Sequence, residues 1–115
     1  MGELVRGVVV VASFPYADLS KTILRPALVL ANLGNHGTHN DLILCMITGQ
    51  PSDFSIAILG VDFENGNLRK EPSYVRPDRL FTAESTLVEY QVGKLKSHKM
   101  DEVMKQLRKL FGLDP

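Results

Sequence analysis

Apolar and polar positions along this chain follow two different periods, and the change between them divides it into a long β-like part and a short helical end. Leu4 to Phe14 is rich in valine and reads as a strand buried on both faces at its centre. Pro15 ends it, and Ala17 to Thr22 reads as a loop with Asp18 and Ser20 as turn formers. Leu24 to Ala31 is a second strand, Asn32 to Asn40 a glycine- and asparagine-rich hairpin loop, and Asp41 to Thr48 a third strand. After the Gly49–Asp53 loop, Phe54, Ile56 and Ile58 alternate as a fourth strand to Leu59, and Asn65-Gly66 signals a tight turn. Ser73 to Val75, Arg79 to Ala83 and Leu87 to Val92 read as further short strands, separated by Pro77-Asp78 and Glu84-Ser85.

The period then changes. Met100, Val103, Met104, Leu107, Leu110 and Phe111 recur at helical spacing, with Lys105, Arg108 and Lys109 on the opposite side. Ser97 stands where an N-cap belongs, Asp101 and Glu102 suit the first turns, and Gly112 marks the stop. Five to seven short strands followed by one helix predict a mainly β fold: a small, strongly bent antiparallel sheet or barrel with the helix packed on it.

One position breaks the pattern. Arg25-Pro26 opens a run, Ala27 to Leu30, that reads as buried strand. A buried guanidinium costs several kcal/mol, to order of magnitude, unless it is paired or faces an opening. Arg25 therefore either meets a carboxylate, with Asp18 and Asp41 as candidates, or lines a cleft.

Composition narrows the picture only modestly. The 115 residues suit one domain spanning 1–115, with 44% hydrophobic and 23% charged residues. The 13 basic and 13 acidic residues cancel, so any nucleic-acid groove must come from local clustering, with Lys21, Arg25, Arg69, Lys70, Arg76 and Arg79 as the available cations. The single cysteine, Cys45, lies inside an apolar run and reads as a buried structural thiol, which suits a reducing compartment. The apolar run Val8–Ala12 is too short for a membrane span and lacks the flanks of a signal peptide, so the expectation is a cytoplasmic protein with no membrane partner. His36, His39 and His98 lack partners at metal-ligand spacing and read as solvated residues, and no phosphate-binding glycine loop or nucleophile elbow is present. No metal and no cofactor is expected.

Taken together, FPYADLS and LRPALVLA, then DLILCMITG, then PSYVRPDRLFT, then VGKL before the terminal helix resemble the MazF/PemK (Kid) family of toxin endoribonucleases from toxin–antitoxin systems. The resemblance runs along essentially the whole chain, and RPALVL, ILCMIT and VRPDRLFT are its most specific pieces. It implies an SH3-like barrel with a C-terminal helix, usually as a homodimer, and metal-independent cleavage of single-stranded RNA. In that chemistry the ribose 2′-hydroxyl attacks the neighbouring phosphate and leaves a 2′,3′-cyclic phosphate and a 5′-hydroxyl. It needs a base, a proton for the leaving oxygen, and positive charge at the phosphorus.

The resemblance also carries roles onto residues. Arg25 matches the arginine of the RP motif and Thr48 the threonine that ends the third-strand motif, so both are expected to be catalytic. Arg76 and Asp78, in VRPD, fall where Kid-type members place an arginine acid and an aspartate base, as the resemblance implies. Ser20, Lys21, Gln50, Ser73 and Arg79 are the expected RNA contacts. The expected partners are single-stranded RNA and a cognate antitoxin, with DNA met only through the antitoxin complex. Two other readings fit the same fold: a protein-binding toxin like the gyrase inhibitor CcdB, and a family member that has lost activity.

Overall fold

The structure, a computed structural model, describes residues 2–15, 22–35, 37 and 39–113. Seven strands form one antiparallel sheet in the order β4-β6-β3-β2-β1-β7-β5. They are β1 (Val8–Pro15), β2 (Thr22–Asn35), β3 (Asn40–Thr48), β4 (Ile56–Ile58), β5 (Phe63–Gly66), β6 (Ser73–Glu84) and β7 (Val88–Leu95), with 3-10 turns at Gly60–Asp62 and Ser85–Leu87. Helix α1 (Ser97–Leu110) follows. No helix among the described residues is long and apolar enough to cross a membrane.

Both faces of the sheet are apolar, as the valine-rich first strand implied. Val9, Leu28, Cys45, Ile47 and Val75 point to one face, where Met100, Val103 and Leu107 of α1 complete a cluster. Val10, Ala27, Val29, Leu42 and Leu44 point to the other, which closes on itself. Phe14 at the end of β1 meets Phe81 of β6 edge-on, with ring centroids 4.8 Å apart and planes at 86°. In a flat sheet these positions, three strands and six residues apart in register, would lie more than ~20 Å from each other. The contact therefore measures the curl that turns the sheet into a half-barrel, the bent architecture that the strand-then-helix pattern predicts.

Several boundaries differ from the sequence reading, each for a local reason. The first strand starts at Val8, not Leu4, because Gly7 sits at φ +99 and turns the chain. The expected strand Phe54–Leu59 shrinks to Ile56–Ile58, since Ser52 and Ser55 bond to each other and hold Phe54 in an exposed turn. Ser73–Val75 and Arg79–Ala83 are not separate strands; β6 runs through Pro77-Asp78 as one strand with a bulge. In α1, Ser97 is the first helical residue and Lys96 holds the cap position without a side-chain bond. The stop at Gly112 (φ +70) is a Schellman turn, with Leu113 N–H donating to Arg108 O at 2.8 Å and Gly112 N–H to Lys109 O at 3.1 Å.

Asn65-Gly66 is not a hairpin turn but the end of β5, paired with Lys94 and Gly93 of β7. Here the backbones come so close that a Cβ on Gly66 would overlap the Val92 carbonyl, and one on Gly93 would overlap the Asn65 carbonyl. Gly66→Ala is accordingly expected to cost about 2–3 kcal/mol, from the clash added to its left-handed φ. Gly34→Ala, at φ +97 with nothing within 4 Å of the new methyl, should cost only about 1 kcal/mol. Thermal denaturation of the two variants checks the difference, and equal losses would show that the close approach adds nothing.

Candidate active site

The alternation of strand residues sorts the expected site residues by face. On β2, Arg25 shares the parity of Ala27 and Val29; on β3, Thr48 shares that of Leu44 and Met46. On β6, Tyr74 and Arg76 alternate with the buried Val75 of the helix-side cluster. Arg25, Thr48 and Arg76 thus stand on one face of three adjacent strands, β2, β3 and β6. The ladder pairs Met46 with Ala27 on one side and Arg76 on the other, and Thr48 with Tyr74. Continued by two residues, the β2–β3 register sets Arg25 level with Thr48. On that register the Cα atoms of Arg25 and Arg76 stand about 12 Å apart across an intervening strand, within the joint reach of two arginine side chains over Thr48 and Met46.

Arg25 itself is exposed, so the cost of a buried guanidinium does not arise where the buried run begins. Burial on β2 begins at Ala27, two residues later. Among the described residues no carboxylate pairs with Arg25; Asp41, one of its two candidate partners, faces His39 instead, and Asp18, the other, lies outside the described residues. Of the two answers, pairing or opening, the described residues favour the opening.

The second arginine is held differently. Between Cys45, which pairs with Leu80, and Met46, which pairs with Arg76, the β6 side of the ladder carries three extra residues, Pro77, Asp78 and Arg79. The fully buried Pro77 anchors this bulge, and it turns Asp78 back onto Arg76. The guanidinium donates from Nε to Oδ1 at 3.2 Å and from Nη2 to Oδ2 at 2.7 Å, a two-pronged pair. Those bonds hold the Asp78 carboxyl below its ordinary 3.8, with burial opposing and the charges of Arg76 and Arg79 adding to the effect. The same bonds push Arg76 further above the ordinary guanidinium value. At neutral pH the pair is fully ionised. Arg76 is then a fixed positive charge with unused N–H groups, not a proton donor.

Thr48 donates its hydroxyl hydrogen to the Gln50 carbonyl at 2.9 Å. A neutral bond of this kind is worth about 1 kcal/mol, and a charge-assisted bond to phosphate is roughly twice as strong, so an arriving phosphate can take that hydrogen. Gln50 is exposed just beyond β3, and Arg79 is exposed in the bulge beside Asp78. Ser73 does not join this group. It has the parity of Val75, is buried, and donates its hydroxyl to the Lys70 carbonyl at 2.6 Å, closing a loop on the other face. Arg69 and Lys70 line the same opposite face, in a cavity of about 530 Å³ with Val11, Leu24 and Tyr90 that holds none of Arg25, Thr48, Arg76 or Asp78. Ser20 and Lys21 lie outside the described residues.

His39 is not the solvated loop residue that its sequence neighbourhood implied. Its Nε2 lies 3.2 Å from Asp41 and its Nδ1 3.1 Å from Glu84, tying β3 to the end of β6. His36 is outside the described residues, and His98 is exposed, 3.9 Å from Asp62. The sequence reading also passed over Tyr74, half-buried beside Thr48 on the Arg25 face; the alternation Ser73-Tyr74-Val75-Arg76 carried that signal.

Cys45 is buried, as expected, and its thiol donates to the Arg76 carbonyl at 2.9 Å. Burial pushes the thiol from its ordinary 9.0 up to about 12, which cuts the reactive thiolate about a thousandfold. A disulfide reagent at pH 8 should therefore label the folded protein at least a thousandfold more slowly than the unfolded chain; comparable rates would contradict the burial. Because the folded value is the higher one, this thiol's contribution to stability is complete below pH 9 and drains away as pH rises toward 12.

Comparison with known proteins bears on what these residues are for. No curated protein sequence matches the chain. A solved structure described as an endoribonuclease in complex with its cognate antitoxin, from a mycobacterial species, is similar in fold: the TM-score is 0.72 at 20% identity, over 100% of this chain and 99% of that one. A family model described as a PemK-like, MazF-like toxin of type II toxin–antitoxin systems matches residues 5–111, and on that match, nearly the length of the chain, this protein belongs to the PemK-like, MazF-like toxin family.

Proposed function

We propose that this toxin, acting as one domain, is a metal-independent, sequence-specific endoribonuclease that cleaves single-stranded RNA by attack of a ribose 2′-hydroxyl on the adjacent phosphate. The observation that carries the proposal is the placing of Arg25 and Arg76 on one face, on either side of Thr48, with Asp78 held ionised in the bulge. In this reading the two guanidinium groups hold the non-bridging phosphate oxygens and balance the charge that grows on them. Thr48 turns its hydroxyl from Gln50 to a phosphate oxygen. Asp78 accepts the 2′ proton as the new bond from O2′ to phosphorus forms. The bond to the 5′ oxygen breaks, and that oxygen takes a proton from water while hydrogen-bonded to Arg25. Gln50 and Arg79, both exposed, would then be the described residues that read bases.

The site would be kept inert in the cytoplasm by an antitoxin segment lying over this face, and DNA would be met only through that complex. The fold neighbour's described complex with an antitoxin supports this assignment of partner. A homodimer, in which two such faces adjoin, is part of the same proposal; a monomer by light scattering at high micromolar concentration would remove it.

The test is incubation of purified protein with a mixed-sequence single-stranded RNA in EDTA, beside DNA of the same sequence. Cleavage of RNA alone, with cyclic phosphate and 5′-hydroxyl ends, is expected. Intact RNA throughout a varied pool, together with tight binding of a protein target, would replace the enzyme with a protein-binding toxin of the same fold.

A further inference from the structure

We infer that Cys45 is a positioning residue for the proposed active site: its thiol fixes the carbonyl from which the Arg76-Pro77-Asp78 bulge springs, and through it the direction of the Arg76–Asp78 pair. The inference rests on the reading of that pair as part of the catalytic face.

Three observations converge on it. The β3–β6 ladder loses register at Cys45, where three extra residues enter β6. A break of this kind weakens backbone pairing on both sides of it and leaves the bulged residues without partners across the strand. At that step the Cys45 thiol donates to the Arg76 carbonyl at 2.9 Å, a short contact for a sulfur donor. Cys45 is also wholly buried among Leu28, Ile47 and Val75, so the sulfur cannot swing away from the carbonyl without opening the core. Below the bulge lies a fixed donor; above it lies a guanidinium tied to its carboxylate by two bonds. Rotating the peptide after Arg76 would swing Asp78 off Arg76, and the thiol opposes that rotation. A valine or alanine at position 45 would fill the same apolar space without this restraint.

Chemistry at the thiol plays no part. A buried group held by burial in its protonated form supplies only a hydrogen and a shape.

The test uses the full chain with Cys45→Ala, which removes the donor, and Cys45→Ser, which keeps one. A merely structural cysteine predicts that activity follows stability. Serine, with a hydroxyl set in an apolar cluster, should then be the worse variant on both counts. The positioning role predicts crossed orders: Cys45→Ser melts lower than Cys45→Ala but cleaves RNA faster. Cys45→Ala should lose about tenfold in kcat with KM unchanged, because the substrate still docks while the charge that meets the transition state is misplaced. A second readout does not need activity. The Arg76 Nε–H proton in the NMR spectrum should stay sharp and slow to exchange in wild type and Cys45→Ser, and exchange faster in Cys45→Ala. Should Cys45→Ala fail to fold, Cys45→Val replaces it in the same comparison.

Wild-type kcat and an unchanged Arg76 signal in the donorless variant would overturn the inference. Arg76→Ala, run alongside, separates the two levels. If it cleaves at the wild-type rate, the reading of the site falls and this inference with it; if it collapses while Cys45→Ala does not, only this inference falls.

Discussion

Replacing Arg25 by alanine is expected to slow RNA cleavage at least a hundredfold while leaving the melting temperature within about 2 °C of wild type. Removing one group that stabilises developing negative charge costs about 10²–10³ in rate, and this guanidinium is proposed to serve both the phosphate and the leaving oxygen. Stability should barely move because Arg25 is exposed and makes no ion pair among the described residues. Surface substitutions without such partners shift stability by no more than about 0.5 kcal/mol. Arg25→Lys tests the geometry: it keeps the charge but loses the fork that grips two oxygens, so it should recover only part of the rate. Cleavage assays and a melting curve on the same preparation check both halves. A large loss of stability in Arg25→Ala would mean that the residue is a structural pin after all.

Arg76→Ala should cost as much in rate, and its pH behaviour gives the sharper result. Asp78 is held below its ordinary 3.8 chiefly by its bonds from Arg76. A carboxylate with a lowered folded value stabilises the fold at every pH above its unfolded value and loses that contribution as pH falls through the folded one. Between pH 5 and 9, therefore, the pair should change neither stability nor charge, and the acid limb of kcat should fall below the usual carboxylate range. In Arg76→Ala the Asp78 limb should move up toward the ordinary value, because the hydrogen bonds that chiefly lower it are gone. Asp78→Asn should abolish that limb and lower the rate by about 10²-fold or more, the share typical of a lost general base. A wild-type profile with its acid limb near neutrality would reject Asp78 as the base.

The sheet, the helix and the apolar centre of each strand were legible in the sequence because hydrophobic alternation is local. Val8 to Ala12, Ala27 to Leu30 and, on α1, Met100, Val103 and Leu107 are buried as their spacing requires, while Phe111 at the end of the predicted stripe is exposed. What that reading could not supply was register. Three residues between Arg76 and Leu80 look like a strand break until a partner strand shows them to be a bulge, and pairing across strands carries no local mark. Without register, the shared face of Arg25, Thr48 and Arg76 could be expected only from resemblance. For Arg25 the sequence left two answers, a paired guanidinium or one lining a cleft, and only the burial along β2, which begins at Ala27, favours the second. The expectation for Ser73 failed: a serine among polar neighbours reads as a surface contact, yet the returning loop covers it. His39 had one of its carboxylates, Asp41, only two residues away, where the sequence reading passed over it, and the other, Glu84, too far along the chain for spacing to show it.

The strands at the two ends of the sheet order, β4 and β5, have three and four residues. An edge that short offers a passing chain only two or three backbone hydrogen bonds before the template runs out, too few to hold an added strand in register. The longer open edges of the sheet lie beyond these strands, along Arg76–Glu84 of β6 and Val88–Gln91 of β7, which pair on one side only among the described residues. A neutralising protein that pairs by its backbone would find room there, beside the bulge that carries Arg76, Asp78 and Arg79. Pairing of a toxin with its own antitoxin would then be set by the side chains of that bulge as much as by a generic backbone edge, since three unpaired residues interrupt the template that an extended peptide can use.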